Sequence, residues 1–323
     1  MDETREPRAA GEAGEGVVIR ATAGRCDVAA GARVWRCALR GRLKAGRREA
    51  RTVAVAGDRV RFTADDPAAD PPRGVVEEVL PRRTRISRLA SRRSGGRVEQ
   101  VLMANLDQAV VVQSVREPAP QAGFVDRLLV AAERFGVDGV LAVNKIDLDP
   151  ADALAAHWEY YRGLGYEVLR TSAATGAGLP ALREALAGRI SLLVGASGVG
   201  KSSLLNAIEP GLGLRVSHVT GKTGLGRHTT TRTELFAVAG DGWIADSPGL
   251  RGFDPWDVDP AQLRDYFPDF VAAAASCRYR TCLHRDEPDC GVKAGIEAGQ
   301  PPRWRYEAYL ALLRDLEERA RRV

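Results

Sequence analysis

The chain has 323 residues, enough for two or three domains that each bury a core of their own. Its 47 Lys and Arg against 42 Asp and Glu give a net charge of +5. It has no apolar run near the roughly 18 residues of a membrane span, its first residues are polar and acidic, and its five cysteines are too few for a disulfide scaffold. We expect an unprocessed cytoplasmic protein, a monomer with no membrane association.

Positive charge is concentrated in two segments near the beginning of the chain. Residues 33–61 hold ten basic side chains against two acidic ones, and residues 82–97 hold seven arginines and no acid. Such blocks indicate a polyanionic partner. Only five of the 47 basic residues are lysine, so GC-rich coding would explain the arginine content alone. The clustering is therefore the observation that favours a polyanion.

The first part of the chain has the pattern of a small β domain. Residues 1–15 are rich in Gly, Ala and Glu and predict a disordered tail. Residues 16–92 contain short β-branched runs separated by Gly, Asp and Pro, with no helical period. This pattern predicts an OB-type β-barrel of five strands, which would present a strand face and loops to RNA. A structural β module without a ligand is the alternative.

From residue 98 onward, strands alternate with helices. The expected strands are QAVVVQSV, VDGVLAV, YEVLRTSA and ISLLVG, and the expected helices are FVDRLLVAAERFG, ADALAAHWEYYRGLG, LPALREALAGR and KSSLLNAIEP. The alternation predicts an α/β domain over residues 98–256, with a parallel sheet covered on both faces. The segment TELFAVAGDGWIADSPG is typical of a β-hairpin that turns at residues 240–242.

The segment GASGVGKSS satisfies the pattern G-x-x-x-x-G-K-[ST] between a strand and a helix. In such loops the backbone N–H groups surround the β-phosphate, Lys201 would contact the β- and γ-oxygens, and Ser202 would supply a hydroxyl to Mg²⁺. The pattern predicts a nucleoside triphosphate site of any kind, and a glycine-rich turn without a ligand is the alternative. The candidate ligands are Gly195, Ala196, Ser197, Gly198, Val199, Gly200, Lys201, Ser202 and Ser203.

The segments NKID and TSA follow two successive predicted strands, where a parallel sheet binds ligands. The Asp147 carboxylate can accept hydrogen bonds from guanine N1–H and N2–H₂, which adenine cannot donate. A backbone N–H of TSA can donate to guanine O6. Either segment alone is a weak signal, but together they favour guanine. The candidate base-binding residues are Asn144, Lys145, Ile146, Asp147, Ser172 and Ala173.

The base-binding segments precede the phosphate loop, the reverse of the usual order in GTPases. DSPG ends the hairpin strand after the phosphate loop, where Asp246 would lie near Mg²⁺ and the Gly249 N–H near the γ-phosphate. Because the termini of a domain often lie close together, a packed sheet tolerates a chain cut at another place. The order therefore predicts a circularly permuted P-loop GTPase domain.

The segment GLGRHTTTRTE has the composition of a switch that orders around γ-phosphate and Mg²⁺; a surface loop rich in Ser and Thr is the alternative. Leu250 occupies the place where many GTPases carry a Gln that orients the attacking water. Unaided hydrolysis should therefore be slow. His228 is our candidate for orienting water, against the alternative of a structural histidine.

Beyond residue 257 the sequence is helical and charged, and it includes a cluster of metal-binding residue types. Three thiolates and one imidazole form a closed tetrahedral Zn²⁺ set, so we expect one structural ion. Cys26 and Cys37, in contrast, are expected to be small buried residues of the barrel. Residues 257–323 are thus predicted to form a helical zinc-binding domain. The candidate zinc ligands are Cys277, Cys282, His284 and Cys290.

The last predicted helix carries an apolar stripe that we expect to pack on the body of the protein. Near it and the cysteine cluster, basic and aromatic side chains would suit RNA phosphates and stacking, with a solvated charged face as the alternative. The stripe comprises Trp304, Tyr309, Leu312 and Leu316. The candidate RNA contacts are Arg278, Arg280, Arg285, Arg303, Arg305, Tyr279 and Trp304.

Together NKIDL, GASGVGKSSLLNAI, GLGRHTTT, DSPG and the Cys/His cluster resemble the ribosome-small-subunit-dependent GTPase A family over about residues 15–320. The resemblance implies GTP hydrolysis, stimulated by the small ribosomal subunit and coupled to its late maturation. It also implies that Thr230 is the Mg²⁺-binding switch residue, with Thr229 and Thr231 as alternatives. An RNA-binding assembly module with GTP as a structural ligand is the second hypothesis, and Asp147 disfavours a kinase. The candidate catalytic set is His228, Thr230, Lys201 and Asp246.

Overall fold

The computed structural model describes residues 13–22, 24–41, 54–91, 97–121, 123–212, 233–238, 240–245, 254–255 and 258–321. These residues form two compact units. One contains the described residues up to 106 together with 233–236, and the other contains the rest. Within the described ranges, no helix combines the length and the hydropathy needed to cross a bilayer.

The first unit contains a closed barrel of five strands. Around the barrel the first three strands are neighbours in chain order, followed by the fifth and the fourth. The third and fifth strands pair in parallel, and the other pairs are antiparallel. This arrangement confirms the predicted OB-type barrel. The strands are β1 (Ala13–Thr22), β2 (Arg25–Ala30), β3 (Arg33–Leu39), β4 (Arg59–Asp66) and β5 (Arg73–Val79).

Alternate side chains of these strands fill the barrel, as the period of two in a strand requires. Val28, Val60 and Phe62 are among the residues of this core. Cys26 and Cys37 are opposite each other on β2 and β3, and both are buried, as predicted. Burial raises the pKa of each thiol to about 12.

A two-stranded antiparallel sheet, β6 (Arg85–Ser91) and β7 (Arg97–Ala104), follows the barrel. Asp58, at the start of β4, is fully buried and accepts two hydrogen bonds from the Arg82 guanidinium, at 2.7 and 2.9 Å. The side-chain amide of Asn105 donates to the carbonyl of Gly57 at 2.8 Å. One arginine of the basic segment 82–97 therefore holds the structure together and is not available to a polyanion.

The second sheet has six strands, and five adjacent strands pair in parallel. All side chains of the two central strands are buried, because these strands are covered on both faces. The predicted α/β sheet is confirmed. In sequence the strands are β8 (Gln108–Ser114), β9 (Asp138–Asn144), β10 (Glu167–Arg170), β11 (Ile190–Val194), β12 (Leu235–Val238) and β13 (Gly242–Ala245). Across the sheet their order is β10-β9-β8-β11-β13-β12.

Helices flank this sheet and form the C-terminal region. They are α1 (Phe124–Phe135), α2 (Ala155–Gly163), α3 (Leu179–Leu186), α4 (Lys201–Ile208), α5 (Pro268–Ala274), α6 (Gly291–Glu297) and α7 (Arg303–Arg321). The prediction that the second helix spans residues 151–165 was wrong at its start. Residues 151–154 form a turn instead, in which the Asp149 carboxylate accepts the Ala153 N–H at 2.9 Å.

The C-terminal region shares an apolar core with the α/β domain. Tyr309 and Leu312 of α7 pack in one cluster with Phe267, Phe270 and, from helix α1, Val130. The prediction that the α7 stripe packs on the body of the protein is confirmed. This cluster also includes Cys282 and Cys290, two of the four candidate metal ligands.

Candidate nucleotide site and metal centre

The phosphate loop connects β11 to α4, and its backbone requires glycine. Gly198 and Gly200 have positive φ angles of 82° and 98°. A Cβ atom at Gly195 would lie 2.4 Å from the carbonyl oxygen of Val112, and one at Gly200 would lie 2.3 Å from Asn144 Nδ2. The two fixed glycines of the motif are therefore the two positions where a side chain would collide with neighbouring strand ends.

Lys201 begins α4, and its ammonium group donates to the carbonyls of Gly195 and Ala196, at 2.8 Å each. Burial lowers the pKa of Lys201 below its ordinary value. Val199 is fully buried and fixes the loop to the core of the sheet. The remaining predicted ligands of the loop are exposed or half-buried: Ser197, Gly198, Ser202 and Ser203.

Asn144 connects the base-binding segment to the phosphate loop. It is buried, its Nδ2 donates to the carbonyl of Val199 at 2.9 Å, and its Oδ1 accepts from Thr171 Oγ1 at 3.4 Å. Lys145, with a φ of 62°, donates from its ammonium group to the carbonyl of Glu117. Two segments separated by more than fifty residues are thus brought together at one site.

Asp147 lies in a single 3-10 turn, Ile146–Leu148, and is exposed. Its Oδ1 accepts a hydrogen bond from Ser172 Oγ, and Ser172 Oγ in turn accepts the Thr175 N–H at 3.1 Å. Ala173 is half-buried against the core of the sheet. From the sequence we expected only backbone of this segment at the base. The contact between the Ser172 hydroxyl and the carboxylate was missed, because nothing in the local sequence indicates it.

All of these residues lie at the carboxyl ends of parallel strands. Asn144 ends β9, Thr171 follows β10, and the phosphate loop follows β11. These strands are parallel to one another through β8, so their ends meet at one edge of the sheet. Four of the predicted site residues lie outside the described residues: His228, Thr230, Asp246 and Gly249.

The four candidate zinc ligands form one cluster in which all ligand atoms lie within 4.8 Å of one another. His284 Nδ1 is 3.6 Å from Cys277 Sγ and 3.5 Å from Cys290 Sγ. Burial, with a contribution from the Arg264 charge, lowers the pKa of His284 and so favours the neutral imidazole that a metal requires. The residues fit a tetrahedral Zn²⁺, and the burial of Cys282, His284 and Cys290 closes the site.

Hydrogen bonds fix the loop that carries His284. The Glu287 carboxylate accepts the N–H groups of Leu283 and Arg285, at 2.6 and 2.9 Å. Burial alone would raise the pKa of Glu287, but these backbone N–H groups hold it below the ordinary value. The hydroxyl of Tyr306 donates to the His284 carbonyl at 2.6 Å. Glu287 and Tyr306 of α7 therefore fix the backbone that carries the imidazole.

The prediction that Arg305 contacts RNA was wrong. Arg305 is 1% exposed, and its guanidinium bonds to Asp126 of α1 and to Asp269 of α5. Trp304, expected to stack on RNA, is half-buried, and its ring centroid lies 4.1 Å from that of His157. The sequence alone does not distinguish Arg305 from an exposed arginine of an amphipathic helix, because its partners Asp126 and Asp269 are distant along the chain.

Comparison with known proteins places this geometry in a family. The sequence profile of the RsgA GTPase matches residues 79–256, and that of the RsgA N-terminal domain matches residues 15–69. A protein named small ribosomal subunit biogenesis GTPase RsgA, from Moorella thermoacetica, is 41% identical over 307 residues, which are 95% of this chain and 99% of the relative. The protein of the same name from Bacteroides fragilis is 38% identical over 289 residues, 87% of this chain and 90% of the relative.

Two crystal structures have the same architecture. YjeQ from Thermotoga maritima has a TM-score of 0.74 and 34% identity, and the match covers 94% of this chain and 99% of that one. YloQ, described as a circularly permuted GTPase, has a TM-score of 0.72 and 28% identity over 97% of this chain and 98% of that one. The barrel agrees with the match to the RsgA N-terminal domain, and the order of the nucleotide segments agrees with the description of YloQ as circularly permuted. The chain therefore belongs to the RsgA GTPase family.

Proposed function

We propose that this protein hydrolyses GTP to GDP and phosphate in a cycle coupled to late maturation of the small ribosomal subunit, and that the subunit stimulates hydrolysis. The observation that carries the nucleotide part is the 2.9 Å hydrogen bond from Asn144 Nδ2 to the Val199 carbonyl. It joins the base-binding segment to the phosphate loop despite their inverted order. The names of the relatives, small ribosomal subunit biogenesis GTPase, support the ribosomal part.

At the base end of the proposed site, Asp147 selects guanine. Its carboxylate would accept N1–H and N2–H₂, and adenine has neither donor at these positions. Ser172 Oγ, already bonded to Oδ1, would hold the carboxylate in place. The Ala173 N–H would donate to O6, and the Lys145 stem would cover the purine. Asn144 keeps this loop against the phosphate loop, and Lys145 holds it to the segment after β8 through the Glu117 carbonyl.

At the phosphate end, GTP would supply the bond to be cleaved, and Mg²⁺ would neutralise charge on the phosphate oxygens. The backbone N–H groups of residues 195–203 would surround the β-phosphate at the start of α4. Lys201 would exchange its bonds to Gly195 and Ala196 for phosphate oxygens, which would favour the charged form that burial disfavours. The Ser202 hydroxyl would bind Mg²⁺.

The remaining catalytic assignments stay predictions. Thr230 would bind Mg²⁺ when the switch is ordered, Asp246 would lie near the ion, and the Gly249 N–H would face the γ-phosphate. Because Leu250 cannot orient water, His228 or a group from the ribosome must do so. A His228→Ala protein that kept full subunit-stimulated turnover would remove His228 from this role.

The metal centre would hold one structural Zn²⁺ through Cys277, Cys282, His284 and Cys290. Each ligand is supplied by the chain, so no position is left for a substrate or water. The ion would therefore fix the loop between α5 and α6 and would take no part in hydrolysis. We place this centre in the proposed C-terminal domain, residues 257–323, next to the GTPase domain, residues 98–256.

We propose that the N-terminal domain, residues 16–92, binds rRNA through its barrel. The Arg33 guanidinium lies 5.1 Å from the ring centroid of Trp35, an arrangement that suits stacking on a base. Arg36, Arg59 and Arg61 are more than half exposed. Glu15, the partner of Arg59 and Arg61, is also on the surface, whereas Asp27, the partner of Arg36, is largely buried. Exposed ion pairs are weak, so phosphates can replace the carboxylates. Binding to small subunits should weaken steeply as salt is added.

The deciding experiment is GTP turnover titrated with purified small and large ribosomal subunits. Stimulation by the small subunit alone is expected. No stimulation by either subunit would favour the alternative, an RNA-binding assembly module in which GTP only stabilises the fold. Competition by ATP against labelled GTP would favour a kinase. The monomeric state and the cytoplasmic location stay predictions. The predicted disordered tail over residues 1–15 was wrong for residues 13–15, which pair with β4 as part of strand β1, and stays a prediction for residues 1–12.

A further inference from the structure

Asp149 follows the turn that carries Asp147, and its side chain is buried. The residue is 6% exposed, and burying a carboxylate is unfavourable unless the group is bonded. Its Oδ2 accepts the Ala153 N–H at 2.9 Å, and its Oδ1 lies 3.4 Å from a guanidinium nitrogen of Arg116. Neither contact belongs to the NKID pattern, so the role of this carboxylate needs its own explanation.

The turn that carries Asp147 requires support at both ends. It is a single 3-10 turn, and such short helices have poor hydrogen-bond geometry of their own. Asn144 and Lys145 hold its upstream end. At its downstream end the Asp149 N–H donates to the Ile146 carbonyl at 3.1 Å, so the position of Asp149 sets the end of the turn.

We propose that Asp149 is a positioning residue for guanine recognition. With Arg116 and Ala153 it forms a downstream clamp, and this clamp fixes the direction in which the Asp147 carboxylate points. The inference rests on the proposed guanine site and adds a residue to it. Recognition of this kind depends on side chains held within about 0.5 Å of the productive geometry. A turn that is free at one end would not meet this requirement.

One segment contacts both ends of the turn that carries Asp147. Glu117 supplies the carbonyl that accepts from Lys145, and the adjacent Arg116 reaches Asp149. The segment is itself closed by a 2.7 Å hydrogen bond from Ser114 Oγ to the Pro118 carbonyl. Because Ser114 ends the fully buried strand β8, the clamp is anchored to the centre of the sheet.

The test compares GTP with inosine triphosphate, which lacks the 2-amino group. The ratio of their dissociation constants reports the bond from Asp147 to that group, since the rest of the ligand is the same. For the wild-type protein we expect a preference for GTP on the order of 10- to 100-fold, the effect of one charged hydrogen bond. In Asp149→Ala the preference should fall below about threefold, and in Arg116→Ala, which keeps the bond from the Ala153 N–H, it should be intermediate. Asp149→Asn, whose amide oxygen can still accept the Ala153 N–H, should be intermediate.

Asp152→Asn is the matched control. Asp152 lies in the same loop, and its side chain forms an ion pair with Arg170 at 2.7 Å. Its backbone N–H donates to the Asp149 carbonyl at 2.9 Å, a bond that Asp152→Asn keeps. This variant should keep the wild-type ratio. If Asp149→Ala does not fold, as judged by circular dichroism, Arg116→Ala decides, because the Arg116 side chain is 62% exposed.

The outcomes separate this inference from the proposed function. A wild-type protein without preference for GTP over inosine triphosphate would contradict the guanine site itself. A wild-type preference that persists in Asp149→Ala and Arg116→Ala would overturn the role of the clamp. An equal loss in Asp152→Asn would also overturn it, because the effect would then come from any disturbance of the loop.

Discussion

Replacing Arg305 with methionine should strongly destabilise the second unit. The guanidinium bonds to Asp269 at 3.1 and 3.2 Å and to Asp126, and it lies over the Phe267 ring at 4.4 Å from the centroid. Arg305 is 1% exposed and Asp126 is 2% exposed. Methionine fills a similar volume, so the main effect of Arg305→Met is to leave two buried carboxylates without a cation.

Breaking one buried ion pair in this way costs about 3 to 5 kcal/mol. The hydroxyls of Tyr160 and Tyr161 still donate to Asp269 and Asp126, at 3.0 and 2.8 Å, so the carboxylates keep part of their hydrogen bonding. We therefore expect a loss of about 3 to 5 kcal/mol and not twice that amount. For a unit of this size, the loss corresponds to a fall in melting temperature of roughly 6 to 20 °C.

Urea unfolding followed by circular dichroism, at fixed zinc concentration, measures this effect. Arg303→Met changes an exposed arginine of the same helix and should alter the unfolding free energy by less than about 0.5 kcal/mol. Adding Asp126→Asn and Asp269→Asn to Arg305→Met should restore part of the stability, because the uncompensated charges are then removed. A loss below about 1 kcal/mol in Arg305→Met, or one equal to that of Arg303→Met, would refute the reasoning.

Three further predictions concern single sites. Asp147→Asn should weaken GTP binding at least about 100-fold and improve binding of xanthosine triphosphate, whose 2-oxo group can accept from the new amide; equilibrium titration of both nucleotides measures this. Gly200→Ala should reduce nucleotide affinity at least about tenfold, because the new Cβ would lie 2.3 Å from Asn144 Nδ2. Gly188→Ala is the control: Gly188 also has a positive φ, 66°, but has open space around it, so this variant should leave binding unchanged. Burial raises the pKa of the Cys26 and Cys37 thiols to about 12. Alkylation at pH 8, followed by mass spectrometry, should therefore leave both thiols unmodified until the barrel unfolds. Rapid labelling of the folded protein would contradict their burial.

Much of the architecture is encoded in local patterns. β8 and β11 are rich in apolar residues because both of their faces are covered, and this is visible without a structure. Gly195 and Gly200 are set by the close approach of neighbouring backbone and side-chain atoms, which the phosphate-loop motif encodes. The four candidate zinc ligands are close in the sequence as well as in space, so their cluster could be predicted directly.

The features that the sequence did not reveal depend on contacts between distant residues. Arg305 and Asp126 are 179 positions apart, and no period or spacing connects them. The contact of Ser172 with Asp147 and that of Arg116 with Asp149 depend on how neighbouring strand ends are aligned. Helix α2 begins later than predicted for a related reason. The Asp149 carboxylate, which lies outside the apolar pattern, accepts the Ala153 N–H, and residues 151–154 form a turn.

The presence of Val130 in the core of the C-terminal region limits how this protein can be divided. That core contains residues from α7 and from the metal centre together with a side chain from α1 of the GTPase part. A fragment beginning after the sheet would expose an apolar face that α1 normally covers, and it should aggregate when produced alone. The segment with the four candidate zinc ligands therefore cannot be transferred alone to another GTPase, because a functional transplant must also include α1.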